Sequence, residues 1–164
     1  MITYGKHSTY GVDTDGHPVV EIGNYTRIAT GTTFYGNINY PSTNNPKLVC
    51  NYAFAQHEGF NFPDQDGKGK TIVGNDVFIG YGCSILSGVT IGNGAIIGMK
   101  TIVSKDVPAY SVVVGSPMVI KKYRFLQTQI NALERIAWWN WSEELIKERL
   151  NDFLDVDIFI QKYG

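Results

Sequence analysis

The chain has 164 residues, 43% of them apolar and 18% charged, which suits one globular domain with one core and a small appendage. A formal net charge of −1 supplies no field to draw in nucleic acid, so no nucleic-acid partner is expected. No apolar run reaches bilayer-spanning length and the polar opening MITYGKHSTY lacks a signal-peptide core, so the expectation is no membrane span and a cytoplasmic location.

Residues 1–35 open with hexads: Ile22-Gly23-Asn24-Tyr25-Thr26-Arg27, then Ile28-Ala29-Thr30-Gly31-Thr32-Thr33, then Phe34. His7 and His17 stand among them without a motif and read as structural or exposed. Residues 36–70 break the six-fold pattern with Pro41, Pro46, Pro63, many Asn and Gly, and scattered aromatics. An excursion of that length inside a compact domain points to function. Its aromatics (Tyr40, Tyr52, Phe54, Phe60, Phe62) suit either stacking on a sugar ring or fastening the loop to a neighbouring subunit. Asp64, Asp66 and Gly67 hint at a calcium loop, but the remaining ligand spacing is absent and no metal is expected. Cys50 and Cys83 make neither a disulfide framework nor a metal quartet.

From 71 to 120 the period is regular. Val73, Ile79, Ile85, Ile91, Ile97 and Val103 fall six apart. Gly74, Gly80, Leu86, Gly92, Gly98 and Ser104 follow them directly, and four places after each aliphatic stand Val77, Cys83, Val89, Ala95, Thr101 and Val107. A helix does not repeat every six residues, and a hairpin sheet has no cause to. The period fits a coil of short strands and tight turns: the aliphatic points inward, the small residue fits at a corner, and the following glycine admits turn dihedrals that a Cβ would obstruct. Successive coils stack, so each strand pairs with its copy one coil away. Cys83 falls on the interior small position and reads as packing.

Residues 121–164 change character. Ile130, Leu133, Ile136 and Ala137 recur at helical spacing. Ser142 suits an N-cap, with Glu143 and Glu144 in the first turn. Trp138, Trp139 and Trp141 read as anchors packing helix against core. A helical tail is expected to close the coil's open end, where apolar side chains and strand edges would otherwise be exposed. The division is thus a coil domain, 1–120, with an excursion at 36–70, and a helical extension, 121–164.

The stretches IGNDVFIGYGCSILSGVTIGNGAIIG, SKDVPAYSVVVGSP and KKYRF, with the tail ALERIAWWNWSEELIKERL, resemble the hexapeptide-repeat acyltransferases, in particular their xenobiotic and polysaccharide acetyltransferase branch. The resemblance implies an all-β fold, a left-handed parallel β-helix of three-sided coils, with a protruding loop and a C-terminal helical tail. It also implies a homotrimer, with acetyl-CoA lying in the groove between subunits. By the same resemblance Gly80 and Gly98 would flank the pantetheine arm, Ser104 and Lys105 would meet the adenine end and phosphates, and Ser116-Pro117 would pack on the adenine. Lys121, Lys122 and Arg124 would add positive charge nearby. Two positions depart from the branch: Val119 stands where it has lysine, and Phe78 where it has tryptophan.

The branch's catalytic histidine is missing. Its place falls in Tyr35-Gly36-Asn37-Ile38-Asn39, at Asn39 or, shifted by one, Ile38. An asparagine amide takes no proton at neutral pH. Three readings stay open: His57 supplies the base, with Glu58 biasing its tautomer; no protein base is needed, as for a neutral amine acceptor; or activity has been lost. The first makes His57 the base and Asn39 the group that orients the acceptor or the thioester carbonyl. The activity implied is acetyl-CoA-dependent O- or N-acetyl transfer to a small hydroxylated or amino acceptor, a sugar or nucleotide sugar of surface polysaccharide synthesis. The alternatives are a xenobiotic acceptor such as an antibiotic, or a β-helix trimer serving as scaffold or CoA-binding module.

Overall fold

The computed structural model describes residues 1–9, 12–15, 18–36 and 69–164. The strands are β1 (Ile2–Tyr4), β2 (Val12–Asp15), β3 (Val20–Ile22), β4 (Arg27–Ile28), β5 (Thr32–Tyr35), β6 (Thr71–Val73), β7 (Phe78–Ile79), β8 (Ser84–Ile85), β9 (Thr90–Ile91), β10 (Ile96–Ile97), β11 (Ile102–Val103), β12 (Ser111–Val114) and β13 (Val119–Tyr123). They form three sheets, ordered β1-β3-β6-β9, β13-β12-β10-β7-β4 and β11-β8-β5-β2. From β3 to β11 the chain visits the three sheets in strict rotation, and every pairing among these strands is parallel. Ile72 pairs with Thr90, Phe78 with Ile96 and Ser84 with Ile102, so one circuit takes eighteen residues, three hexads. Across the excursion Glu21 pairs with Ile72, Arg27 with Phe78 and Thr33 with Ser84, an offset of fifty-one. One circuit plus thirty-three further residues accounts for it.

The hexad aliphatics are the core. Ile22, Ile28 and Phe34, then Val73 through Val103, are all buried, as are the small residues four places on, Thr26 and Thr32, then Val77 through Val107. Each fully buried Ile contributes about 1.5–3 kcal/mol relative to exposure. The corners refine the expectation about glycine. The left-handed residue is the third after each aliphatic, at Tyr25, Gly31, Asp76, Gly82, Gly88, Gly94 and Lys100. The glycine directly after the aliphatic serves close stacking instead: a Cβ on Gly80 would lie 2.7 Å from the Met99 amide nitrogen on the next circuit.

After the turn at Gly115–Pro117 the chain runs back as β13, antiparallel to β12, and satisfies that strand's outer edge. Helices α1 (Gln127–Ile136), α2 (Glu143–Arg149) and α3 (Val156–Tyr163) follow. Ala137 is not part of α1; it adopts left-handed dihedrals and closes the helix by donating its N–H to Leu133 O. Ser142 caps α2, its hydroxyl accepting from Leu145 N at 3.3 Å. A second core gathers Tyr110, Ile130, Leu133, Trp139 and Phe159, with Trp138 and Trp141 at its margin. The helices run along one corner of the stack, touching the first circuit at His7, whose Nε2 lies 2.9 Å from Glu143 Oε1, the second at Tyr25, whose ring centroid is 5.2 Å from that of Trp138, and a late one at Tyr110, beside Phe125 at 5.7 Å.

That corner carries an asparagine ladder. Asn24 Oδ1 accepts from Lys6 N (2.8 Å), Asn75 Oδ1 from Asn24 N (2.7 Å) and Asn93 Oδ1 from Asn75 N (2.8 Å). The spare amide hydrogens reach the tail, Asn24 Nδ2 donating to Trp139 O (3.1 Å) and Asn93 Nδ2 to Glu134 Oε2 (3.0 Å). The side-chain amides of Asn24 and Asn93 are thereby satisfied by the element that covers the corner.

Candidate functional site

Gly80 and Gly98 occupy the same corner on consecutive circuits, Gly80 N–H donating to Ile97 O and Gly98 N–H to Val113 O, both at 2.8 Å. Gly80 is buried and its amide is engaged in the stack; Gly98 is half-buried. Thr101 ties this corner to the turn after β12: its hydroxyl donates to Gly98 O (2.7 Å) and accepts from Gly115 N (3.1 Å). The exposed Ser116 and Pro117 are thus held beside Gly98 and the exposed Met99. Ser104 and Lys105 follow β11 and are also exposed. Lys121 is the extra residue of a β-bulge, since Val112 pairs with Lys122 and Val113 with Ile120, and it too is exposed. Among the described residues neither Lys105 nor Lys121 holds an ion pair.

Arg124 has partners within the chain. Its guanidinium donates to Gly94 O (2.7 Å) and Asp76 Oδ2 (3.2 Å) and lies over the rings of Tyr110 and Phe125. It fastens the coil to the tail through these partners. Burial pushes the Asp76 carboxyl above its ordinary range, and the Arg124 charge opposes that rise. Cys83 is packed in the core with its thiol 3.1 Å from Gly80 O and Gly98 O, and burial holds that thiol up and protonated.

A cavity of about 350 Å³ opens where the chain leaves and rejoins the coil. Gly36 and Gly69, the described ends of the excursion, line it with Val19, Tyr35, Lys70 and Ser87. Lys70 Nζ grips both carboxylate oxygens of Glu21, at 2.8 and 2.9 Å. His57 and Asn39 lie outside the described residues. The Glu21–Lys70 pair and the ladder were not singled out from sequence. The ladder had a signal, the triplets Ile22-Gly23-Asn24, Val73-Gly74-Asn75 and Ile91-Gly92-Asn93 at one place in the hexad. The ion pair had none, since its partners are 49 residues apart.

Residues 70–105 match the family described as bacterial transferase hexapeptide (six repeats). The hexapeptide-repeat segment is similar to curated enzymes: a chloramphenicol acetyltransferase of Klebsiella aerogenes is 46% identical over 79 residues, 48% of this chain and 38% of the relative. Another, of Morganella morganii, is 41% identical over 96 residues, 58% of this chain and 46% of the relative. The chain therefore spans less than half the length of these relatives. Among solved structures, a hexapeptide-repeat acetyltransferase of Vibrio cholerae complexed with acetyl coenzyme A is 24% identical, with 76% of this chain and 61% of that one covered and a TM-score of 0.56. The polySia-specific acetyltransferase NeuO is 24% identical, with 76% and 53% covered and a TM-score of 0.54. These likenesses concern the fold, and such neighbours imply a left-handed β-helix.

Proposed function

We propose that the chain is an acetyl-CoA-dependent O- or N-acetyltransferase acting on a small hydroxylated or amino acceptor. The observation that carries this is the 41–46% identity to chloramphenicol acetyltransferases over 79 and 96 residues. The rotation through three sheets supports reading the stack as three-sided, left-handed coils. A homotrimer in the cytoplasm completes the reading; among the described residues no helix is long and apolar enough to cross a membrane.

The exposed Ser104, Lys105, Ser116, Pro117 and Lys121 suit a phosphate-bearing donor: two cations without ion pairs among the described residues, with the Ser116–Pro117 turn beside the small Gly98. Acetyl-CoA supplies an activated thioester there. The acceptor is assigned to the cavity at Gly36 and Gly69, with Tyr35 and Ser87 offering hydroxyls to orient it. His57, on the excursion between those glycines, is the base that takes the acceptor's proton, and Asn39 orients the acceptor or the thioester carbonyl. A sugar suits a cavity with an aromatic wall and hydroxyls; the relatives' names bring an antibiotic alongside it. The asparagine in place of the branch's histidine favours a second reading, a CoA-binding scaffold without turnover.

Incubation with isotope-labelled acetyl-CoA and a panel of chloramphenicol, hexosides and amino sugars, followed by mass spectrometry, tests the assignment. An acetylated acceptor is expected, its rate falling about 100- to 10,000-fold in His57→Ala. Binding of acetyl-CoA with no labelled product from any acceptor favours the scaffold.

A further inference from the structure

The geometry points to the Glu21–Lys70 ion pair as the element that sets the charge class of the acceptor: a neutral hydroxylated ring is accepted and an anionic one turned away. This rests on the assignment of the acceptor to the cavity at Gly36 and Gly69.

Lys70 lines that cavity directly, on the residue before β6. Left alone, its ammonium would attract a carboxylate or phosphate, and the cavity would select anions. Glu21 prevents this. It sits on the outward face of β3, in register with Ile72, and its two oxygens hold Lys70 Nζ at 2.8 and 2.9 Å. The remaining lining groups, Val19, Tyr35, Gly36, Gly69, Thr71 and Ser87 among them, carry no formal charge at neutral pH. Lys70 is thus the one charged group in the described lining, and an entering anion meets a cation that Glu21 already neutralises. Each side chain is about half exposed, 48% for Lys70 and 51% for Glu21, so the pair itself adds little to stability and is free to act on ligands. The wall's polarity fits a ring with one apolar face and several hydroxyls: Val19 presents an aliphatic surface, while Tyr35 and Ser87 donate and accept hydrogen bonds.

The test compares matched probes, methyl glucoside and methyl glucuronoside, which differ only by a carboxylate at C6. Their dissociation constants are measured by ligand-observed NMR at low and physiological salt for the native protein, Glu21→Gln, Lys70→Gln and Val19→Trp, the last filling the cavity. The inference expects the native protein to favour the glucoside, and Glu21→Gln to tighten the glucuronoside about three- to tenfold, the gain shrinking as salt rises. The glucoside should change less than twofold. If Glu21→Gln leaves the glucuronoside unchanged while Val19→Trp abolishes binding of both probes, the charge assignment is overturned and the cavity assignment stands. If Val19→Trp leaves both probes bound as before, or neither probe binds the native protein, the cavity assignment fails and carries the inference down with it. A tightened glucuronoside in Lys70→Gln also overturns it, since that variant has lost the attracting charge.

Discussion

An added methyl at Gly80 would meet the Met99 amide nitrogen at 2.7 Å and Ile97 O at 3.0 Å, both rigid backbone of the next circuit. At Gly82 the backbone is left-handed (φ +66°) and a methyl would meet the flexible end of Lys100. Gly80→Ala is therefore expected to cost about 1–3 kcal/mol from overpacking and Gly82→Ala about 1 kcal/mol from dihedral strain, read by urea denaturation. Arg124 gives a pH-dependent case. Asp76, raised above its ordinary 3.8 by burial, binds its proton more tightly folded than unfolded. Its stability contribution is thus fully present below about pH 3.8 and is lost as pH rises through the folded pKa. Arg124→Met removes the charge that limits this loss. The variant should lose only its Gly94 hydrogen bond and packing at low pH, with a further deficit of about 1–3 kcal/mol appearing as Asp76 ionises. A deficit equal at all pH would contradict the role of Asp76. At this scale the sequence pattern announced which residues face inward, because burial follows the period directly. It could not announce that Arg124 turns inward, because its partners at 76 and 94 meet it only once the coil is wound.

The elements repeat the lesson at a larger grain. The six-residue period was legible in the sequence while three hexads to a circuit came only with the family resemblance, and Ser142 was legible as a cap because capping depends on local chemistry alone. The tail's position was not legible. Helical spacing tells which face of α1 is apolar but not which surface of the coil receives it, and the answer lies in the asparagine ladder and the rings of Tyr25 and Tyr110. Asn75 is the ladder's middle rung: it accepts from Asn24 N and donates to Asn93 Oδ1 at 3.0 Å. Asn75→Ala strands the half-buried Asn24 N–H and should cost about 1–3 kcal/mol. Ser142→Ala removes one exposed cap bond and should cost about 1 kcal/mol. Hydrogen exchange separates the two, the first variant loosening the coil's amides and the second only those of α2. The candidate site divides the same way. The residues proposed for the donor could be named from the sequence because the family's motifs are local, while the proposed acceptor side depends on where the excursion's ends meet the coil.

For the whole molecule, the outward face of the five-stranded sheet exposes Phe78 and Val119, and Ile120 and Tyr123 of its edge strand are exposed beside them. Such apolar area on a small chain suits association with further copies, and closed threefold symmetry would cover it on every subunit. Light scattering on the purified protein should return a mass threefold that of one chain, and a monomer at micromolar concentration would remove the trimer from the account. Titration calorimetry of acetyl-CoA into the native protein tests the central claim most directly. The account predicts saturable binding of one acetyl-CoA per chain, weakened about tenfold in Lys105→Ala as one charge-assisted phosphate contact is lost. No binding at millimolar acetyl-CoA, in a protein whose fold is intact, would contradict it.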